Sequence, residues 1–268
     1  GKTPVLDSVK EAEKRILDQE NSKGYLPMTG EPVYCAQVQE LLFGEGHEII
    51  TRKRAATAHC PCGTGALRVV GDYLHTLHPD ASIWLSDPTW ANHNTIFEAA
   101  GLTRKKYAYR DPATNGLDFD AMCASIKKIP KGDVILLHGC CHNPTGIDPT
   151  PEQWAQLGEL LAEQGVLPLV DFAYQGLAVG IEEDRAGLLE LTKKVKQMLI
   201  CSSFSKNFGL YRERTGALTV VADNATETAG QETTETIAPD SLPGSPAVAP
   251  AVMLSWVAPN SLWAPGGS

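Results

Sequence analysis

Four short apolar runs constrain the fold more than any other feature of this sequence. Ser82-Ile83-Trp84-Leu85-Ser86, Asp133-Val134-Ile135-Leu136-Leu137-His138, Val166-Leu167-Pro168-Leu169-Val170 and Met198-Leu199-Ile200 each have the length and composition of a buried strand. Between them lie stretches with helical spacing. Ile96 to Ala100, about Phe119 to Ile129, the segment opened by Thr150-Pro151-Glu152-Gln153, and about Ala186 to Gln197 all read as helices. Strands that alternate with helices imply an α/β fold, a mostly parallel sheet covered by helices on both faces. In such sheets, ligands bind outside the carboxyl ends of the strands.

The polar residues collect at those ends. After Met198-Leu199-Ile200 comes Cys201-Ser202-Ser203-Phe204-Ser205-Lys206-Asn207-Phe208-Gly209-Leu210-Tyr211-Arg212-Glu213-Arg214. Desolvation of a lysine at the end of a core strand favours its neutral form, the nucleophilic one. Ser203-Phe204-Ser205-Lys206 also fits the S-x-x-K acyl-transfer pattern, but no S-D-N or K-T-G segment accompanies it. Asp171 and Tyr174 follow one strand, Asn143 another, and Trp90 and His93 a third. Upstream, Gly63 and Thr64 open a helix carrying Leu67, Val70, Leu74 and Leu77, and a glycine-rich helix entry is a ready anion site. The first 43 residues read as an amphipathic helix over 7 to 20, a break at Gly24-Tyr25-Leu26-Pro27, and a helix from Pro32 to Phe43.

The net charge of −9, with no basic stripe, argues against nucleic acid. No run approaches a membrane span of about 20 apolar residues. Seven cysteines without a C-x-x-C pair suit reduced thiols and a cytoplasmic setting. His75 and His78 share a helix but lack further ligand spacing, so no metal site is expected. All 23 lysines and arginines lie at or before Arg214. Residues 222–268, rich first in Thr, Glu and Ala and then in Pro, Ser and Gly, read as a poorly ordered tail.

An anion cradle, a stacking surface, a carboxylate, hydrogen-bonding phenol and amide groups and a nucleophilic lysine together suit pyridoxal 5'-phosphate (PLP). Residues 1–221 resemble the large, cofactor-binding domain of the bacterial class I aspartate aminotransferases, PLP enzymes of fold type I. The resemblance rests on Gly1-Lys2-Thr3-Pro4-Val5-Leu6, Cys140-Cys141-His142-Asn143-Pro144-Thr145-Gly146-Ile147-Asp148-Pro149-Thr150, Asp171-Phe172-Ala173-Tyr174-Gln175-Gly176 and Ser205-Lys206-Asn207-Phe208-Gly209-Leu210-Tyr211. It implies transamination between L-aspartate and 2-oxoglutarate, or an aromatic amino-acid aminotransferase of the same class. In a third reading the chain is a non-catalytic PLP-binding fragment.

The resemblance also implies roles. Lys206 would be the Schiff-base lysine and proton shuttle, and Asp171, backed by His93, the partner of the pyridine nitrogen. Asn143 and Tyr174 would bind the ring hydroxyl oxygen, and Trp90 would stack on the ring. Gly63, Thr64, Ser203 and Arg214 would hold the phosphate, and Tyr25 would reach the phosphate of the neighbouring subunit in a homodimer. Two departures stand out. Cys62 replaces a family glycine in the phosphate turn, and the family's two substrate-binding arginines beyond the lysine have no counterpart. The small domain is largely missing, so the chain reads as a fragment with an aberrant tail.

Overall fold

The computed structural model describes residues 3–225; of the tail expected over residues 222–268, residues 226–268 lie outside them. Seven strands form one sheet in the order β1-β7-β6-β5-β4-β2-β3. They are β1 Ala55–Pro61, β2 Ser82–Asp87, β3 Thr103–Ala108, β4 Val134–His138, β5 Leu167–Phe172, β6 Met198–Ser203 and β7 Thr215–Val221. The pairs among β2 to β6 are parallel, while β7 runs antiparallel to both β1 and β6. The sheet is therefore mostly parallel, as the strand-helix alternation implies.

The helices are α1 Asp7–Gln19, α2 Pro32–Phe43, α3 Glu48–Thr51, α4 Cys62–Leu77, α5 Ala91–Ala99, α6 Phe119–Ile126, α7 Pro151–Gln164 and α8 Ala186–Thr192. Their ends follow local chemistry. Thr150 and Gln153 close a capping box on α7, and Gly165 ends it in the left-handed region at φ 64°. Helix α1 buries only Val9 and leaves Ile16 and Leu17 exposed.

Side chains alternate between two apolar clusters, one on each face of the sheet. Val134 and Leu136 of β4, Leu169 of β5 and Leu199 and Cys201 of β6 pack with Leu67, Val70 and Leu74 of α4 and Phe97 of α5. Ile135, Leu137, Val170 and Ile200 face the other way, against Leu42 of α2, Ile126 of α6, Leu157 and Leu161 of α7 and Leu188 of α8. The period of two decides where the polar residues point. Counting on from Leu136, Leu169 and Cys201, the residues His138, Asp171 and Ser203 all fall on the α4–α5 face at the carboxyl ends of their strands. His138 stands directly opposite Asp171 in the ladder, and Asp171 opposite Cys201.

Several strands differ from the sequence expectation. β6 continues through Ser203, so Ser202 and Ser203 lie on the strand and Phe204 onward, with Ser205, forms the loop. β3 carries Arg104, Lys105 and Lys106 on a sheet edge, where charges deter edge-to-edge pairing. α8 stops at Thr192, five residues before the expected end at Gln197.

Candidate active site

A cleft opens at the carboxyl ends of the central strands, where an α/β sheet places its ligands. Its lining includes Gly63, Thr64, Trp90, Asn143, Asp171, Tyr174, Ser203 and Lys206. Sequence reasoning named all eight. It missed Leu67, His138, Cys140 and Ala173, which complete the wall.

Gly63 and Thr64 come from the first turn of α4, which has no side-chain cap; Cys62 N–H is taken by Arg214 O, and the N–H groups of Gly63 and Thr64 remain for a ligand. Gly63 is required there. A Cβ at that position would lie 2.9 Å from the Cβ of Ser203. The close approach brings the helix terminus and the serine to one end of the cleft. Lys206 Nζ sits 4.4 Å from the centre of the Tyr174 ring, and Asn143 Nδ2 donates to the Tyr174 hydroxyl at 3.5 Å. Asp171 shares this cleft with Lys206, and the lysine's charge is among the influences that favour the ionised carboxylate.

Burial pushes the Asp171 carboxyl up, but the hydrogen bond from His93 and the electrostatic influence of His93, His138 and Lys206 outweigh burial and hold it below the usual carboxylate range. A chain of hydrogen bonds supplies that support. The backbone N–H of Asn143 can only donate, and it points at His138 Nδ1 at 3.3 Å. His138 therefore carries its proton on Nε2 and donates to Thr89 Oγ1 at 3.2 Å. Thr89 passes its own hydrogen to His93 Nδ1 at 2.8 Å, and His93 Nε2–H donates to Asp171 Oδ2 at 2.9 Å. One backbone amide thus orients four side chains and keeps an N–H on the carboxylate. Thr89 and His138 escaped sequence reasoning. The signal for His138 was its place at the end of a core strand, where Asp171 also sits.

His142 extends the buried histidine group. It stacks on Tyr109 with centroids 3.8 Å apart and bonds Ser86 Oγ and Thr145 Oγ1. Asp148 accepts the N–H groups of Cys141 and His142 at 2.7 and 2.8 Å, fixing the turn that carries Asn143. Burial drives His138 down to about 4 and His142 down to about 3, with neighbouring histidines adding to the effect on both and Asp171 opposing it at His138. The sign follows by linkage. Between about pH 6.5 and 4 the unfolded chain protonates these rings while the folded chain does not, so stability falls as pH falls through that window. Urea denaturation at pH 7 and pH 5 is expected to show the loss, and His142→Gln to make its pH slope shallower; an unchanged slope would rule out this account.

Three predicted residues stand apart from the cleft lining. His93 is fully buried and reaches Asp171 Oδ2 at 2.9 Å. Tyr25 is fully exposed. Arg214 is exposed too, and its guanidinium donates to Tyr211 O at 2.8 Å and to Cys62 Sγ.

The family model for aminotransferase class I and II matches residues 1–254. The chain belongs to that family. This aminotransferase-family chain is 54% identical over 225 residues to an aspartate aminotransferase of Salmonella typhi, covering 84% of this chain and 57% of that protein. An aspartate aminotransferase of Escherichia coli is 53% identical, over 83% of this chain and 56% of its own length. Among solved structures, an aromatic amino acid aminotransferase from Burkholderia cenocepacia superposes with a TM-score of 0.82 at 45% identity, covering 84% of this chain and 56% of that one. An aromatic-amino-acid aminotransferase from Burkholderia pseudomallei, covalently bound to pyridoxal phosphate, gives 0.85 at 38% identity, over 96% and 59%. The chain thus spans a little over half the length of the relatives it matches. The likeness to these structures bears out the fold-type I assignment.

Proposed function

We propose that this chain carries the cofactor-binding half of a PLP-dependent transaminase that exchanges an amino group between L-aspartate and 2-oxoglutarate. The observation that carries the reading is the meeting of Lys206, an ionised Asp171 and the uncapped end of α4 in one cleft. These residues fit PLP. The N–H groups of Gly63 and Thr64, with Ser203, suit a phosphate. Trp90 and Ala173 offer apolar walls to a flat ring, and Asn143 and Tyr174 hydrogen bonds to a ring oxygen. Asp171 suits a protonated ring nitrogen, and Lys206 supplies the amine.

PLP, when bound, supplies a carbonyl carbon for the amine and a ring that withdraws electrons. The protein's part is to hold and move protons. Asp171, kept ionised by His93 Nε2–H, would retain a proton on the ring nitrogen. Tyr174 and Asn143 would fix the ring oxygen, and Lys206 Nζ, once free, would take the proton from the substrate α-carbon. Asn143 would also contact the substrate α-carboxylate.

Among the described residues no arginine lines the cleft. A dicarboxylate therefore meets no bidentate partner in this chain, and turnover about 10³-fold or more below that of a complete aspartate aminotransferase is expected. The sequence relatives at 54% and 53% identity favour aspartate. An aromatic-amino-acid aminotransferase of Pseudomonas aeruginosa at 46% keeps the aromatic substrate as the second reading. We read the enzyme as cytoplasmic and homodimeric, with the exposed Tyr25 free to reach a neighbouring subunit; among the described residues no helix is long and apolar enough to cross a membrane.

Titration of the purified chain with PLP tests the reading. A saturable, pH-dependent absorbance band distinct from free PLP is expected, and its absence would sink the proposal. Slow turnover of aspartate over phenylalanine would separate the two substrate readings, and a band without turnover would leave a cofactor-binding fragment.

A further inference from the structure

Cys62 opens α4 with φ 63°, in the left-handed region that disfavours a side chain. The backbone cannot relax. Cys62 N donates to Arg214 O at 2.8 Å, and the Cys62 backbone lies so close on Gly216 of β7 that a Cβ there would come within 2.4 Å of its carbonyl carbon. With its backbone clamped, the buried thiol is aimed at one target, Arg214 Nη2. Nη1 of the same guanidinium is held by Tyr211 O at 2.8 Å. Each end nitrogen of the guanidinium thus gives an N–H to a protein acceptor outside the cleft lining, although α4, with Gly63 and Thr64 on the cleft, starts at Cys62 itself.

We propose that Cys62 is a positioning residue for the anion cradle, its sulfur holding the Arg214 guanidinium away from the cleft and so setting how tightly the cradle binds a phosphate. The thiol and the anion compete for the orientation of the guanidinium, because the planar group cannot keep its contact with the sulfur and also turn a full pair of N–H groups on a phosphate in the cleft. The PLP arm of the test rests on the cofactor reading; the inorganic phosphate arm does not.

The experiment compares the full-length chain with its Cys62→Gly, Cys62→Ala and Cys62→Ser variants, alone and combined with Arg214→Ala. Each is titrated with inorganic phosphate, PLP and pyridoxal, which lacks the phosphate, with dissociation constants read by calorimetry and absorbance. Cys62→Gly and Cys62→Ala are expected to tighten phosphate and PLP by about tenfold, the worth of one charge-assisted hydrogen bond. Pyridoxal affinity is expected to stay unchanged. Cys62→Ala retains the strained Cβ and lacks only the sulfur, which separates the contact from backbone relief. Cys62→Ser, whose hydroxyl still accepts from Nη2, is expected to stay near the parent. In the Arg214→Ala background the gain is expected to vanish. An equal gain for pyridoxal, or one that persists without Arg214, would overturn the proposal. Failure of every variant to give a PLP band would instead remove the cofactor reading, and the phosphate titration would still decide the role of Cys62.

Discussion

With alanine at position 206, borohydride reduction in the presence of PLP is expected to leave no phosphopyridoxyl group at the cleft, whereas the parent chain is expected to carry one, on Lys206. Among the described residues Lys206 is the only lysine in the cleft lining, and the amine has no substitute there. Its surroundings favour capture. The amine rests on the Tyr174 ring and makes no ion pair among the described residues, so no carboxylate must be displaced before it reacts. Peptide mass mapping of the reduced chain checks both arms, and a label at another lysine in the parent would refute the assignment. The variant should still bind PLP reversibly, because the α4 terminus and Asp171 are untouched.

Asp184→Asn is expected to destabilise the fold by about 3 kcal/mol, measured by urea denaturation, through loss of hydrogen bonds to a buried charge. The Asp184 carboxylate accepts the backbone N–H groups of Gly176, Ala178, Val179 and Gly180 at 2.8, 3.0, 2.9 and 3.3 Å. Burial raises this carboxyl, but the four N–H groups outweigh it and hold the group below the usual range. An asparagine offers one acceptor oxygen and turns an NH₂ toward the remaining donors. Residues 176–180 lead directly from Tyr174, so the loosened loop is also expected to weaken PLP binding. A variant as stable as the parent would show that the loop holds itself by other means.

The legible parts of this fold are those where one physical signal dominates. The runs of β4 and β5 are apolar on both faces and declare themselves buried. Thr150, Pro151 and Gln153 spell the start of α7 in four residues. β1 and β7 were passed over because Ala55–Pro61 is short in large apolar residues and Thr215–Val221 follows a polar loop, and neither shows its partner in its own composition. β3 was obscured by its lysines, which suit an edge and mask a strand.

The same distinction holds at the site. Lys206, Asp171, Asn143 and Tyr174 were marked by their position after core strands and by family resemblance. Thr89 and His138 were not, since their role exists only when residues far apart in the chain meet in one hydrogen-bond path. Arg214 was placed on the phosphate by resemblance, and its contact with Cys62 was hidden because the two residues lie 152 positions apart and meet only in the fold.

The antiparallel strand β7 has a consequence for how the molecule assembles. β1 pairs with β7 alone, Ala55 opposite Val221, so an early stretch of the chain waits for nearly the last described residues before it gains a ladder partner. Pairing of such distant segments is slow because the intervening chain must be ordered first. Ribosomal synthesis delivers β7 after the Lys206 loop, and α4 is seated on the sheet partly through that late strand. The anion-binding end of the cleft is therefore complete only once β7 is in place beneath α4.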